Sequence, residues 1–341
     1  MSVNIDDLEH RAAANDCAAQ VMLAHRHQNS GRHDLARGWF ARAAKGGDVA
    51  ALRLLAVSLL AQAPMNIGEG MGMIRTAAER GDGEAALLCA AFAGQDSALA
   101  DNWTIALDYL ARAARSGSPQ AKAQQRLLMS GGPQIDLTRW LSPAPARALS
   151  DAPRIAVAEG FATPEECDFL IARARPELRE AEVYDPRGGG GFRASGIRSN
   201  SAASFGPVQS DLVMALLRAR MARWTGLATE AMEPMSVLHY ATGEQFAPHF
   251  DFIDPLNRQL ADDLAQKGQR QATVLVYLND DFEGGETEFC DLDLRHRGRK
   301  GDALLFWNVT PEGLPDRRTR HAGLPPARGE KWLLSQWIRG R

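Results

Sequence analysis

Over the first 130 positions, apolar residues recur three and four apart. Examples are Leu35-Ala36, Trp39-Phe40 and Ala43-Ala44, then Ala51, Leu54-Leu55 and Leu59, the spacing of one buried helix face. Short polar turns break this pattern at regular intervals. Ala44-Lys-Gly-Gly47-Asp48, Ala78-Glu-Arg-Gly81-Asp82 and Ala114-Arg-Ser-Gly117-Ser118 share one frame, and Ala12-Ala-Ala-Asn15-Asp16 is a weaker copy. The Asn or Gly at 15, 47, 81 and 117 follow one another at 32, 34 and 36 residues, and Ala19, Ala51, Ala85 and Ala121 each lie four residues further on. Glycine after a helix can take the left-handed conformation, the Asp or Ser behind it can cap the next helix, and a small alanine lets two helices approach closely. A period near 34 with two helices per unit predicts a helical solenoid over residues 1–130.

Helical periodicity ends near Met129. Gly131-Gly-Pro133, Pro143, Pro145 and Pro153 interrupt a short apolar segment around Leu137, Trp140 and Leu141, so residues 131–152 are expected to be a linker. From 153 to 341 the texture differs. Ile155-Ala-Val157 reads as a strand, and Thr163-Pro-Glu-Glu166 as the start of a helix reaching about Ala174. A second amphipathic helix is expected over 208–224, through Val213, Leu216, Leu217 and Met221. Beyond Glu233 lie apolar runs bounded by glycine-bearing turns: Ser236–Tyr240, Thr273–Leu278, Thr287–Cys290, Ala303–Phe306 and Trp332–Ile338. The expected fold class is α+β, an all-α repeat solenoid followed by an antiparallel barrel or jelly roll with supporting helices.

Composition narrows the function classes. A formal net charge of −3 in 341 residues provides no basic field for nucleic acid or an acidic membrane surface. No apolar stretch is long enough to span a bilayer. Acidic residues near Met1 stand where a signal peptide needs basic ones, so a cytoplasmic protein is expected. Cys17, Cys89, Cys167 and Cys290 are scattered and read as reduced thiols. Alanine-rich, arginine-over-lysine usage suggests a bacterial source. His25, His27 and His33 read as a solvated helix end. The Ala-Ala-x-x-Gly-Asp core of the repeats resembles Sel1-like repeats, relatives of the tetratricopeptide repeat.

Candidate chemistry lies in the strand-rich part. In an extended segment His249 and Asp251 point to one face, and His321 follows 72 residues after His249. Two imidazoles and one carboxylate suit Fe(II) and leave positions open for a chelating cosubstrate and O2. Lys331 is one of five lysines and sits in an apolar strand context, which is costly without an anionic partner such as a cosubstrate carboxylate. Tyr240 and Tyr277 could donate hydroxyls to the same anion.

From about residue 153 to 339 the chain resembles the prolyl 4-hydroxylase branch of the Fe(II)/2-oxoglutarate dioxygenases. The segments carrying the resemblance run in order. They begin with Ile197-Arg198-Ser199, then His239-Tyr240-Ala-Thr-Gly243-Glu-Gln-Phe-Ala-Pro-His249-Phe-Asp251, and continue with Arg270-Gln-Ala-Thr273-Val-Leu-Val-Tyr277-Leu278-Asn279. Gly284-Gly-Glu-Thr287-Glu-Phe289, His321-Ala-Gly323 and Gly329-Glu-Lys331-Trp332 through Trp337 complete them. The resemblance implies a double-stranded β-helix with iron on His249, Asp251 and His321. It implies 2-oxoglutarate on that iron, held by Lys331 with help from Tyr240, Tyr277 and Thr287 and with Trp337 beside it. Arg270, Arg198 and Arg193 are implied on the substrate side, O2 as cosubstrate and ascorbate as reductant. The presence of Asp251 favours hydroxylation, since related halogenases replace the carboxylate with a small residue.

Cys290 and Leu324 depart from the family pattern, and Arg317, Arg318 and Arg320 make the approach to His321 unusually basic; these leave the substrate open. Gly188-Gly-Gly-Gly191 falls where family members carry a loop over the site. The expected function is hydroxylation of a prolyl residue in a protein or peptide recruited by the repeats. Two alternatives stay open: hydroxylation of a free amino acid or small metabolite, and a catalytically silent repeat scaffold.

Overall fold

The computed structural model describes residues 5–62, 66–96, 101–181 and 198–340, with the short strands Val183–Asp185 and Gly191–Arg193 described by backbone alone. The chain divides into two compact units, Met1–Ile135 with Val208–Ala215, and Asp136–Pro207 with Leu216–Arg341. The helix Leu212–Thr225 is shared between them.

Among the described residues, eight helices make up the repeat region, in four pairs: Ile5–Ala13 with Cys17–Asn29, His33–Lys45 with Val49–Leu60, Ile67–Glu79 with Gly83–Gln95, and Asn102–Arg115 with Pro119–Leu128. The expected turn chemistry recurs in this unit. Asn15, Gly47, Gly81 and Gly117 have φ of 65°, 99°, 93° and 95°, a conformation open to glycine and tolerated by asparagine. The next amide bonds back into the preceding helix, as from Asp48 to the Ala43 carbonyl at 3.1 Å and from Asp82 to Ala77 at 3.0 Å. The side chains of Asp16, Asp48, Asp82 and Ser118 then accept from the amides of Ala19, Ala51, Ala85 and Ala121 at 3.1, 2.8, 2.8 and 3.3 Å. These four alanines are wholly buried. Residues 208–215 group with this unit because Leu212 N–H donates to the Gln124 side chain at 3.1 Å, and Gly94 makes room for Leu212 and Ala215.

The second unit is built on two antiparallel sheets. The larger has eight strands, in the order 146–151, 154–158, 303–307, 269–277, 331–340, 235–240, 201–205 and 179–180. The smaller has four, in the order 294–296, 287–289, 321–323 and 246–249. Period-two alternation sends Leu238 and Tyr240, Leu275 and Tyr277, Leu304 and Phe306, and Leu333 into one core with Phe246 and Phe289 of the smaller sheet. This is the jelly roll expected from the strand pattern.

The segment read as a linker carries ordered elements. Leu137–Leu141 is a short helix, and Ala146–Asp151 pairs with Arg154–Ala158 as the edge strand of the large sheet. The prolines at 143 and 145 lie before that strand and spare its ladder. Arg220 ties this end of the unit together from an almost fully buried position. Its guanidinium donates to the Trp140 carbonyl at 2.9 Å and the Phe161 carbonyl at 2.6 Å, and it grips both oxygens of Glu166 at 2.9 and 3.1 Å. Glu166 also completes the capping box foreseen at Thr163. The expected 208–224 helix begins at Leu212. Among the described residues no helix is long and apolar enough to cross a membrane.

Candidate metal centre

His249 ends the 246–249 strand and His321 begins the 321–323 strand, and the two residues are register partners across the small sheet. Their ring centroids are 4.3 Å apart. Asp251 lies in the bend just past the strand, not within it as the i, i+2 argument assumed. The bend still delivers its carboxylate: Oδ1 is 3.5 Å from His249 Nε2, and Oδ2 is 3.7 Å from His321 Nε2. One ligand atom from each residue lies within 4.8 Å of the others, and no other such cluster occurs among the described residues.

Local hydrogen bonds prepare both imidazoles as ligands. His249 Nδ1 donates to the Ala247 carbonyl at 2.9 Å and His321 Nδ1 to the Thr319 carbonyl at 3.0 Å. In a neutral ring this leaves the Nε2 lone pair aimed at Asp251. Burial, and then the nearby His249 ring, push the His321 pKa down to about 4, so it stays neutral. Burial works against the Asp251 carboxylate, but the two imidazoles and the Thr273 hydroxyl outweigh it and hold its pKa well below the usual range. Two imidazole nitrogens and one anionic oxygen, converging on a point, fit Fe(II). Phe246 stacks flat on His249, with centroids 3.5 Å apart and planes at 10°.

A cavity of about 620 Å³ opens onto the triad. Lys331, Leu333, Ser335 and Trp337 line it from one strand, and Ser236, Leu238 and Tyr240 from the next, each set two residues apart. Lys331 is wholly buried. Its Nζ donates to the Gly285 carbonyl at 2.7 Å and lies 5.1 Å from the Tyr240 ring centroid. An ammonium has three hydrogens, so two remain for a ligand. Burial, opposed weakly by Glu286, pushes the lysine pKa down to about 7.

The structure sorts the remaining expected residues. Tyr240, Thr287, Trp337 and Arg198 line the cavity, and Arg198 stacks over Phe246 at 4.7 Å while its Nε donates to Asn200. Tyr277 does not line it. Its hydroxyl stands behind Thr287 at 3.0 Å and is spent on the His296 carbonyl at 3.1 Å. Arg270 does not line it either. Glu233 takes its guanidinium through two bonds of 2.7 and 2.9 Å, and the same group lies 3.6 Å over the Trp337 ring. Arg270 is thus held as a buttress of the cavity wall. The Arg193 side chain and the Gly188–Gly191 run lie outside the described residues. Arg317, Arg318 and Arg320 pair with Asp254, Asp316 and Asp291, which neutralises the basic approach to His321.

Three contributors escaped the sequence reading: Thr273 and Asn308, behind Asp251, and the Gly285 carbonyl that holds Lys331. For the first two there was a signal, a polar side chain at each end of an otherwise apolar stretch, Thr273 before Val274–Leu278 and Asn308 after Ala303–Trp307.

The family model of the 2OG-Fe(II) oxygenase superfamily matches residues 235–339. Prolyl 4-hydroxylase 1 of Arabidopsis thaliana is 35% identical over 229 residues, covering 60% of this chain and 78% of that protein. Probable prolyl 4-hydroxylase 4 of the same plant is 32% identical over 221 residues, covering 58% and 72%. Among solved structures, a viral collagen prolyl hydroxylase from Paramecium bursaria Chlorella virus-1 is similar at 27% identity and a TM-score of 0.43, covering 57% of this chain and 99% of its own. A Sel1 repeat protein from Oxalobacter formigenes is similar at 21% identity and a TM-score of 0.33, covering 39% and 57%.

Proposed function

This chain belongs to the prolyl 4-hydroxylase family of 2OG-Fe(II) oxygenases, and from that premise we propose that it hydroxylates a prolyl residue within a protein or peptide. It is a 2-oxoglutarate-dependent dioxygenase, an oxidoreductase that uses Fe(II), 2-oxoglutarate and O2. Iron bound at such a site couples loss of CO2 from 2-oxoglutarate to reduction of O2, one oxygen atom ending in succinate and the other in the substrate hydroxyl.

The chain's own residues divide the remaining work. His249 and His321 offer their Nε2 atoms and Asp251 offers its carboxylate. Lys331 holds the far carboxylate of the cosubstrate, with Thr287 beside it and Trp337 as the wall. One observation carries this reading: the triad and a wholly buried lysine with two unused hydrogens line the same cavity. A lysine buried in that way is costly unless an anion joins it.

The test uses the purified full-length chain with Fe(II), 2-oxoglutarate and a host proteome. Succinate formation with new +16 Da peptides, the added oxygen mapping to proline, is the expected result. Oxygen mapping only to other residues, or to free metabolites, would overturn the prolyl assignment. Omitting ascorbate tests it as the reductant. We also propose that the repeats recruit the target, since a solenoid offers an extended surface to a protein. An intact target should then be used at lower concentration than a short peptide carrying the same proline, and equal KM values would refute recruitment.

A further inference from the structure

Two residues stand behind Asp251, on the side of its Oδ2. Thr273 Oγ1 donates to Asp251 Oδ2 at 2.8 Å, and Asn308 Nδ2 donates to Thr273 Oγ1 at 2.9 Å. Thr273 and Asn308 are wholly buried, and Asp251 nearly so. The direction of this chain is forced. A hydroxyl has one hydrogen, and an ionised carboxylate can only accept. With an amide hydrogen on its lone pair, Thr273 must turn its own hydrogen to Oδ2. If the Asn308 amide were turned over, the threonine would give that hydrogen to Asn308, and Oδ2 would lose its donor.

Asn308 is itself anchored on both sides. Its N–H donates to the Gln271 carbonyl at 2.8 Å, and its carbonyl accepts from the Asp316 N–H at 2.9 Å. The Asp316 carbonyl accepts from the Thr319 hydroxyl at 2.7 Å, and the Thr319 carbonyl accepts from His321 Nδ1. One asparagine is therefore linked through its side chain to Asp251 and through its backbone to the support of His321.

We propose that Thr273 and Asn308 are positioning residues for the metal, keeping Oδ2 of Asp251 occupied so that Oδ1, facing His249, is the oxygen offered to it. A carboxylate free to turn could engage the metal with both oxygens and close a position that the cosubstrate or O2 needs. The proposal rests on the reading of His249, Asp251 and His321 as the metal site. Residues that support metal ligands in this way are worth about 10–100-fold in metal affinity.

Co(II) is the probe, because both its affinity and its ligand-field absorption can be read on the full chain without turnover. Thr273→Val keeps the shape and removes the hydroxyl. It should weaken Co(II) binding about 10–100-fold and shift the absorption bands, whereas Thr273→Ser, which retains the donor, should restore both. Asn308→Asp should behave like Thr273→Val, because a carboxylate at 308 accepts the threonine hydrogen. Circular dichroism matches the folded fraction of each sample, and Thr273→Ala provides a second probe if the valine variant folds poorly. Wild-type affinity and an unchanged spectrum in the folded Val or Ala variant would overturn the proposal. A wild-type chain that takes up no Co(II), or loses none in His321→Ala, would instead overturn the metal-site reading and the proposal with it.

Discussion

The two units put their polar groups to different uses. Among the described residues of the repeats, 5–135, the buried polar side chains are Gln20, Ser118 and Gln124, none of them charged, and the 208–215 segment adds Ser210 and Asp211 to that unit. The oxygenase unit buries Asp251, Lys331, Arg339, Arg220 and Glu166 together with Asn308, Thr273 and Gln336. In the repeats, the Asp and Ser caps each act within three positions of themselves, and a pair such as Arg53 with Asp82 adds a link between repeats. In the oxygenase unit polar groups meet across the chain, Lys331 with Gly285, Asp251 with Thr273, and Glu166 with Arg220. A repeat is stabilised turn by turn. The site instead holds charges that the core tolerates only because partners, or ligands, are brought to them.

That contrast is broken most sharply at the triad. His249→Ala, Asp251→Ala or His321→Ala should abolish iron-dependent succinate formation while leaving the circular dichroism spectrum close to wild type, since little core apolar area is removed. Near-normal turnover by any of the three would show that the buried charges are structural. A change confined to the repeats should have no comparable effect on uncoupled turnover.

Lys331 sharpens the comparison, because its effects on function and on stability should have opposite signs. Lys331→Ala should raise the 2-oxoglutarate requirement more than tenfold, as a charge-assisted bond contributes about 1.5–3 kcal/mol. In the unfolded chain the lysine keeps its ordinary value of 10.5, while burial holds the folded one at about 7. Between those values the unfolded state binds more proton, so without cosubstrate the stability should rise with pH across that window. Cosubstrate affinity should fall over the same window, because the carboxylate needs the ammonium form. Lys331→Met should remove the first dependence, as read from denaturation midpoints. A stability profile flat in both proteins would place the lysine in a solvated setting.

The smallest effects belong to the repeats. Asp48→Ala removes one cap and should cost about 1 kcal/mol. Asp82→Ala should cost more, since Asp82 also accepts from Arg53 across a repeat at 3.0 and 3.2 Å. Denaturation followed by helical circular dichroism reads both, and equal losses would show that the Arg53 pair contributes nothing. Neither variant should alter Co(II) affinity.

What the sequence determined by itself is whatever depends on near neighbours along the chain. The helix pairs, their left-handed turns at Asn15, Gly47, Gly81 and Gly117, and the Asp and Ser caps were all legible, because each is fixed by residues within five positions. So were the alternating strands and the capping box at Thr163. The triad was legible too, through the spacing of a motif shared with a known family. Tertiary structure alone decided how the site is held. Tyr277 stands behind Thr287, and Arg270 is taken up by Glu233, 37 residues away. Thr273 and Asn308, 35 residues apart, were brought into line behind Asp251. Hydrogen bonds of that reach depend on which strands neighbour one another and in what register. Packing two sheets around one core sets that pairing, and local residue order does not.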